Sequence, residues 1–216
     1  MAWSFGSSQH SLYLDCGREN DLGQFPWSLS PSFSSDMETT ERIVEAYVRH
    51  VKGWATISNI KCDGQLEIDL LAIDPVNTRR RYHIEVSVSG SQAYSKLTNK
   101  PFDREQLKKR TQVAKMRRTL GYFIEHKFKP KPVIAKLKKY GFKKNKYQRI
   151  VVTWDSTQDA KVAAKTAGIE LWDFRDLMLE LAASISEKRT YFTDDTLRTI
   201  NLFARAQRGV QPADES

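Results

Sequence analysis

The chain has 216 residues, 40% of them hydrophobic and 28% charged, with a formal net charge of +9. That length and composition suit one globular domain with a sizeable core, and no apolar run approaches the roughly 18 residues that a membrane helix needs. Two distant cysteines, Cys16 and Cys62, exclude a disulfide framework and a zinc ribbon; with no basic-then-apolar leader at the start, a reducing cytoplasm is the expected setting.

The charge is unevenly placed. From Arg104 to Arg149 there are 17 Lys and Arg against two acids, Glu105 and Glu125, or +15; the rest of the chain carries 18 basic and 24 acidic residues, or −6. A mildly acidic body with one strongly basic segment suits a partner that is a polyanion.

Residues 1–35, rich in Ser and Gly with scattered aromatics, show no period and read as an N-terminal arm. Ser35-Asp36-Met37-Glu38 is a capping box that predicts a helix start, and Ile43, Val44, Tyr47, Val48 and Val51 form its apolar stripe as far as Gly53. Three strands follow: Trp54 to Ile60, Leu66 to Asp74, and Tyr82 to Ser89, where Ile84, Val86 and Val88 alternate with His83, Glu85 and Ser87. A helix is predicted from Asp103, with Val113, Met116, Leu120, Phe123 and Ile124 on one stripe and a break at Gly121. Residues 126–147 read as a Lys-rich insertion of one basic helix plus loops. Arg149 to Thr153 is a fourth strand, Ala160 to Ala167 a helix, Ile169 to Trp172 a fifth strand and Phe174 to Leu181 a helix. A last amphipathic segment, Thr193 to Arg205, precedes a polar tail. The order α-β-β-β-α-β-α-β predicts an α/β fold with a mixed central sheet flanked by helices, the main domain spanning 36–182 and a C-terminal helix and tail 183–216.

The chemistry-bearing candidates are acids in strands. Glu67 and Asp69 stand in an apolar run, and Glu85 stands between Ile84 and Val86 in what should be a central strand. A carboxylate there is costly unless a basic side chain or a metal compensates it. Adjacent strands can bring Asp69 and Glu85 together, and hard oxygen ligands of that kind suit Mg²⁺ or Mn²⁺.

A helix bearing an acid, then G-Q-L-E-I-D-L-L-A (64–72), then I-E-V-S-V (84–88), resembles the PD-(D/E)XK nuclease superfamily in its restriction-endonuclease-like and resolvase-like branches. The similarity extends through the strand 150–153, the helix after it, Gly168-Ile169-Glu170-Leu171 and Asp176-Leu177. The resemblance implies a restriction-endonuclease-like core and a metal-dependent endonuclease hydrolysing phosphodiester bonds in DNA. It makes Asp69 and Glu85 the ligands of Mg²⁺ or Mn²⁺. It also implies an acid on the first helix, for which Glu41 and Glu45 compete; Glu41 lies closer to the apolar stripe and is preferred. Where the family carries a lysine, two residues after the strand acid, this chain has Ser87. Projection of the next helix puts Gln106 and Lys109 on its inward stripe, so Lys109 is the expected relocated lysine, with Lys96 as a weaker substitute. Lys136, Lys138, Lys139, Lys143, Lys144 and Arg117 are expected to meet phosphates. Ser87 keeps two other readings alive: an inactive nuclease fold that only binds nucleic acid, and a protein-interaction subunit docking an acidic partner. A homodimer is compatible with the sequence; a membrane partner is not expected.

Overall fold

The computed structural model describes residues 38–88, 96–102, 105, 119–187 and 192–209. The chain divides into residues 1–34 and 35–216, and everything described belongs to the second unit. Helix α1 (Thr39–His50) is followed by strands β1 (Ala55–Cys62), β2 (Leu66–Ile73) and β3 (Arg81–Ser87). Next come α2 (Leu120–Tyr122), which continues as a π-helical turn over Phe123–Phe128, and α3 (Lys131–Lys139). Strand β4 (Gln148–Thr153), α4 (Gln158–Thr166), β5 (Ile169–Asp173), α5 (Phe174–Glu187) and α6 (Asp195–Gly209) complete the order.

The five strands lie in the order β1-β2-β3-β4-β5. The pairs β1–β2 and β2–β3 are antiparallel, and β3–β4 and β4–β5 are parallel. The antiparallel half follows from its short turns; at the β1–β2 turn Gly64 and Gln65 both take positive φ. The parallel half needs crossovers, and the helices between β3 and β5 supply them. The fold is thus α/β with a mixed sheet, as the element order predicts, and β3 is the central strand.

The sheet is covered on both faces. Ile43, Val44, Tyr47 and Val48 of α1 pack with Leu177, Leu181 and Ile185 of α5 against Leu70, Tyr82, Ile84, Ile150 and Val152. On the other side, Phe123 and Phe128 pack with Val151 and Ala160, and Val133 and Leu137 of α3 with Ile68 and Leu71. The alternation of β3 follows from this: Ile84 faces α1, and His83 and Glu85 face the π-helical turn.

Several boundaries differ from the expected ones. Helix α1 begins at Thr39 after Glu38, which makes no side-chain cap; Ser35 of the capping box lies outside the described residues. The helix expected to run from Asp103 past Ile124 is interrupted before Gly121: Thr119 is extended, its side chain accepts from the Tyr122 N–H, and it bridges to Thr98. Gly121 has a different role, because a Cβ there would lie 2.6 Å from the Phe102 backbone nitrogen. The boundary expected at residue 182 falls inside α5, and α6 packs onto α5 and α1.

Candidate active site

Asp69 and Glu85 stand on adjacent antiparallel strands, one step beyond the paired residues Leu70 and Ile84. Regular pairing stops there: the Val86 N–H donates to Oδ2 of Asp69 at 2.8 Å, so a side chain takes the bond a ladder carbonyl would take. Strict alternation also lapses around Asp69. Ile68 and Leu71 both pack beneath α3, whereas Leu70 and Ala72 pack beneath α1. Asn59, facing this point from β1, has φ +58°. Such local distortions re-aim side chains at strand positions next to sites.

Lys127 enters between the two acids. Its Nζ lies 2.8 Å from Oδ1 of Asp69 and 2.6 Å from Oε2 of Glu85, and it donates to the Glu67 carbonyl at 3.3 Å. The two carboxylates thus already share one cation, the Lys127 ammonium. Glu85 is fully buried and Asp69 nearly so, while 16% of the Lys127 side chain meets solvent. The Lys127 contact with Oε2 of Glu85 is a close charge contact without hydrogen-bond alignment, so this buried oxygen has no directed donor. A π-helical turn carries Lys127; such turns add a residue to the helical ladder and shift side chains around the axis, and they concentrate at functional sites.

His83 holds the other oxygen of Glu85, with Nε2 2.7 Å from Oε1. The ring is wholly buried and its edge meets Phe128. Burial pushes its pKa down to about 3, so it is neutral. A neutral imidazole facing an ionised Glu85 donates from Nε2, which leaves Nδ1 as a buried acceptor with no partner among the described residues. This is a hydrogen bond of a neutral ring, and no charged pair.

Three carboxylates here, Asp69, Glu85 and Glu41, are pushed towards their neutral forms. Burial, then the charge of Glu85, raises Asp69 to about 7. Burial raises Glu85 too, against the opposing charge of Lys127. Burial works against the charge on Lys127, but the two carboxylates outweigh it and its pKa is raised. Glu41 at the start of α1 is raised to about 7 by burial and then by Asp69, Glu38 and Glu67. Strongly perturbed groups gathered at one place are the electrostatic mark of a site.

The geometry separates the two acids of α1. Glu41 senses Asp69 and Lys127, whereas Glu45 accepts from Thr56 Oγ1 at 2.8 Å and pairs with Arg49. Glu67 pairs with Lys61 at 2.5 Å, and Lys96 with Asp155 at 3.0 Å. Lys109, Gln106 and Arg117 lie outside the described residues. The lysine between Asp69 and Glu85 is Lys127, at the start of the Lys-rich stretch 126–147. A signal for it existed. Lys127 follows Leu120, Phe123 and Ile124 at spacings of seven, four and three, which continues their inward stripe by one turn.

Beyond this turn, α3 buries Val133 and Leu137 and turns lysines outward. Lys138 and Lys139 are exposed in its last turn, Lys143 and Lys144 in the turn that follows, and Lys136 is half-buried. Among the described residues, no helix is long and apolar enough to cross a membrane, and Cys62 is a buried free thiol.

No family model and no curated protein matches the chain. Among solved structures, the chain is similar to one described as a protein of unknown function, AF1548, at 16% identity and a TM-score of 0.39, with 81% of this chain and 100% of that chain covered. A likeness at that score carries no argument about chemistry.

Proposed function

We propose that this chain is a metal-dependent nuclease of the PD-(D/E)XK type, hydrolysing phosphodiester bonds in DNA, with Lys127 in the role of the lysine absent at Ser87. One observation carries the reading: a lysine from a separate element meets the paired carboxylates of β2 and β3 at 2.8 and 2.6 Å. A buried cation between two buried acids is costly to assemble, and hydrophobic residues would fill the space at least as well for stability alone.

Asp69 and Glu85 would hold Mg²⁺ or Mn²⁺, with Glu41 beside them. The donors are all carboxylate oxygens, and a donor set of that chemistry suits a hard cation. Among the described residues, no three His, Cys, Asp or Glu side chains are gathered around one point, so Asp69 and Glu85 would be the ligands this chain supplies. When bound, such an ion polarises the phosphate and lowers the pKa of the attacking water. The chain's own groups do the rest. His83 fixes Oε1 of Glu85 and turns Oε2 towards Lys127. Lys127 neutralises the acid pair and supplies positive charge where the phosphorane develops. Lysines of α3 and the following turn take backbone phosphates, which gives salt-sensitive and largely sequence-independent binding.

The deciding experiment is cleavage of single-stranded, duplex and branched DNA with Mg²⁺ or Mn²⁺, comparing the wild type with Asp69→Asn and Glu85→Gln. Metal-dependent cleavage lost in both variants supports the proposal. Salt-sensitive binding without cleavage under any of these conditions would favour a binding module instead. The observation on that side is again Lys127, which already neutralises the pair and so relieves it of any need for a metal.

A further inference from the structure

We propose that the turn between β2 and β3, residues Asp74 to Arg80, is a rigid prong that contacts duplex DNA through Arg79, Arg80 and Val76; this rests on the nucleic-acid reading above.

The turn is built tightly for a surface loop. Oδ1 of Asp74 accepts from the N–H groups of Val76 and Asn77 at 2.9 and 3.2 Å. The Arg80 N–H donates to the Asn77 carbonyl at 2.8 Å, and the Asp74 N–H to the Arg80 carbonyl at 3.1 Å. An Asx-type bond therefore fixes the loop from within. What it displays is unusual: Val76 is 96% exposed, beside two exposed arginines. The Arg79 guanidinium has no partner among the described residues. Among the described residues, Arg80 makes a long contact with Asp74, at 3.9 Å, with 67% of its side chain in solvent.

The prong is also joined to the basic side of the molecule. Arg81 donates to the Gly141 carbonyl at 2.8 Å and lies over the Phe142 ring. It thereby clamps the root of the turn to the end of α3, next to Lys138, Lys139, Lys143 and Lys144. Arg81 thus joins two basic segments that are remote in sequence. The single acid of the turn, Asp74, is mostly buried and already engaged.

Spacing and shape favour a duplex. From Asp69 to Asp74, β2 advances five residues, about 17 Å at roughly 3.3 Å per residue. Phosphates along one strand of B-DNA rise about 3.4 Å per step, so with β2 laid along the duplex the prong would stand about five steps from the acid pair. That offset crosses from a strand held at the site to the neighbouring groove. An apolar tip flanked by arginines is suited to a groove, with guanidinium groups on the phosphates at its edges. A flexible single strand presents no groove at a fixed offset.

The test uses the full chain, duplexes of unrelated sequence and anisotropy over a salt series. Arg79→Ala with Arg80→Ala should weaken duplex binding about tenfold and lower the log–log salt slope by about two, with less than about a threefold change for a single strand of the same length. A photo-crosslinker on Val76→Cys, in a Cys16→Ser background, should join to the duplex. The same label on Leu179→Cys, an exposed position of α5, should not. Unchanged affinity and slope, or no greater crosslinking from position 76 than from 179, would overturn the prong; a loss of binding on Lys136→Ala, Lys138→Ala and Lys139→Ala combined would leave the nucleic-acid reading standing. If the wild type itself binds no duplex at low salt, both readings fall together.

Discussion

Lys127 Nζ lies 2.6 Å from Oε2 of Glu85, on the face of β3 that also carries Ser87. The strand acid and its cation therefore meet across the fold and not along one strand. A lysine at position 87 would be tied to the pleat of β3. A lysine on a separate helical turn reaches the same carboxylate while leaving the strand free of a second buried charge.

Lys127 should be central to stability as well as to chemistry. Removing one partner of a buried charge pair typically costs about 3–5 kcal/mol, because the other is left uncompensated. Here two carboxylates would be left. Lys127→Ala should therefore melt well below the wild type in chelator, and millimolar Mg²⁺ or Mn²⁺ should restore much of the loss by occupying the vacated position. The wild type, with its acids already neutralised, should gain less from the same ion. Differential scanning fluorimetry with and without the ion decides this, and equal gains in the two proteins would sink it.

Much of the fold was legible in the sequence because its period was simple. The alternation of Ile84 and Val86 with His83 and Glu85 marks a strand covered on both faces, and Asp74-Pro75 marks a turn. The stripe of Ile43, Val44, Tyr47 and Val48 marks an amphipathic helix, all four being buried. The acids of β2 and β3 were legible for the same reason, since a charge in an apolar strand stands out. Lys127 was not, because it sits at the edge of a lysine-rich run where composition hides position. Its continuation of the Leu120, Phe123 and Ile124 stripe carries the signal. The π-helical turn that aims it has no sequence mark of its own. Nor did periodicity register the backbone approach at Gly121, because a contact with residues 100–102 is tertiary.

That approach supports a prediction. A Cβ at Gly121 would lie 2.6 Å from the Phe102 nitrogen and 3.0 Å from the Lys100 carbonyl oxygen. Both are backbone atoms, which cannot swing aside as a side-chain tip can. Gly121→Ala should cost about 1–3 kcal/mol, the usual scale of overpacking. Because Gly121 begins the segment that leads to Lys127, turnover should fall more than substrate affinity. Thermal denaturation and kcat against KM are the measurements; a variant as stable as the wild type would contradict the contact.

Tyr47 makes a prediction about alkaline stability. Its hydroxyl donates to Oε2 of Glu180 at 2.8 Å, and its ring meets the edge of Trp172. Burial first, then the Glu180 bond, raises its pKa above the ordinary value of 10. The folded state thus holds the phenolic proton more tightly than the unfolded chain does. The resulting stability is fully present below pH 10 and is lost as pH climbs from there towards the folded-state value. Tyr47→Phe should cost about 1 kcal/mol at neutral pH, the net worth of one hydrogen bond, and should lose less stability than the wild type above pH 10. Parallel urea-denaturation series from pH 7 to 11 test this, and curves of equal slope above pH 10 would rule it out.

The last prediction exchanges the two routes by which a cation reaches Glu85. If Lys127 does the work of the absent motif lysine, Lys127→Ala should reduce turnover by about a hundredfold or more, the scale of losing one preorganised electrostatic group. DNA binding should change little, since Lys127 is mostly buried and faces the acids, whereas Lys138 and Lys139 face solvent. Ser87 shares the β3 face of Glu85 and is only half-buried, so a longer side chain there has a path to the same carboxylate. Ser87→Lys placed in the Lys127→Ala protein should return part of the lost turnover, and Ser87→Met, similar in length but uncharged, should return none. Ser87→Lys alone should lower activity, because two ammonium groups would then compete for one pair of acids. Lys129→Ala is the control for bulk charge: its ammonium pairs with Glu125 at 2.5 Å on the surface, two residues from Lys127, and its loss should leave kcat unchanged. Equal losses from Lys127→Ala and Lys129→Ala would reduce the effect to net charge. A Lys127→Ala protein that folds and cleaves at the wild-type rate would remove Lys127 from catalysis.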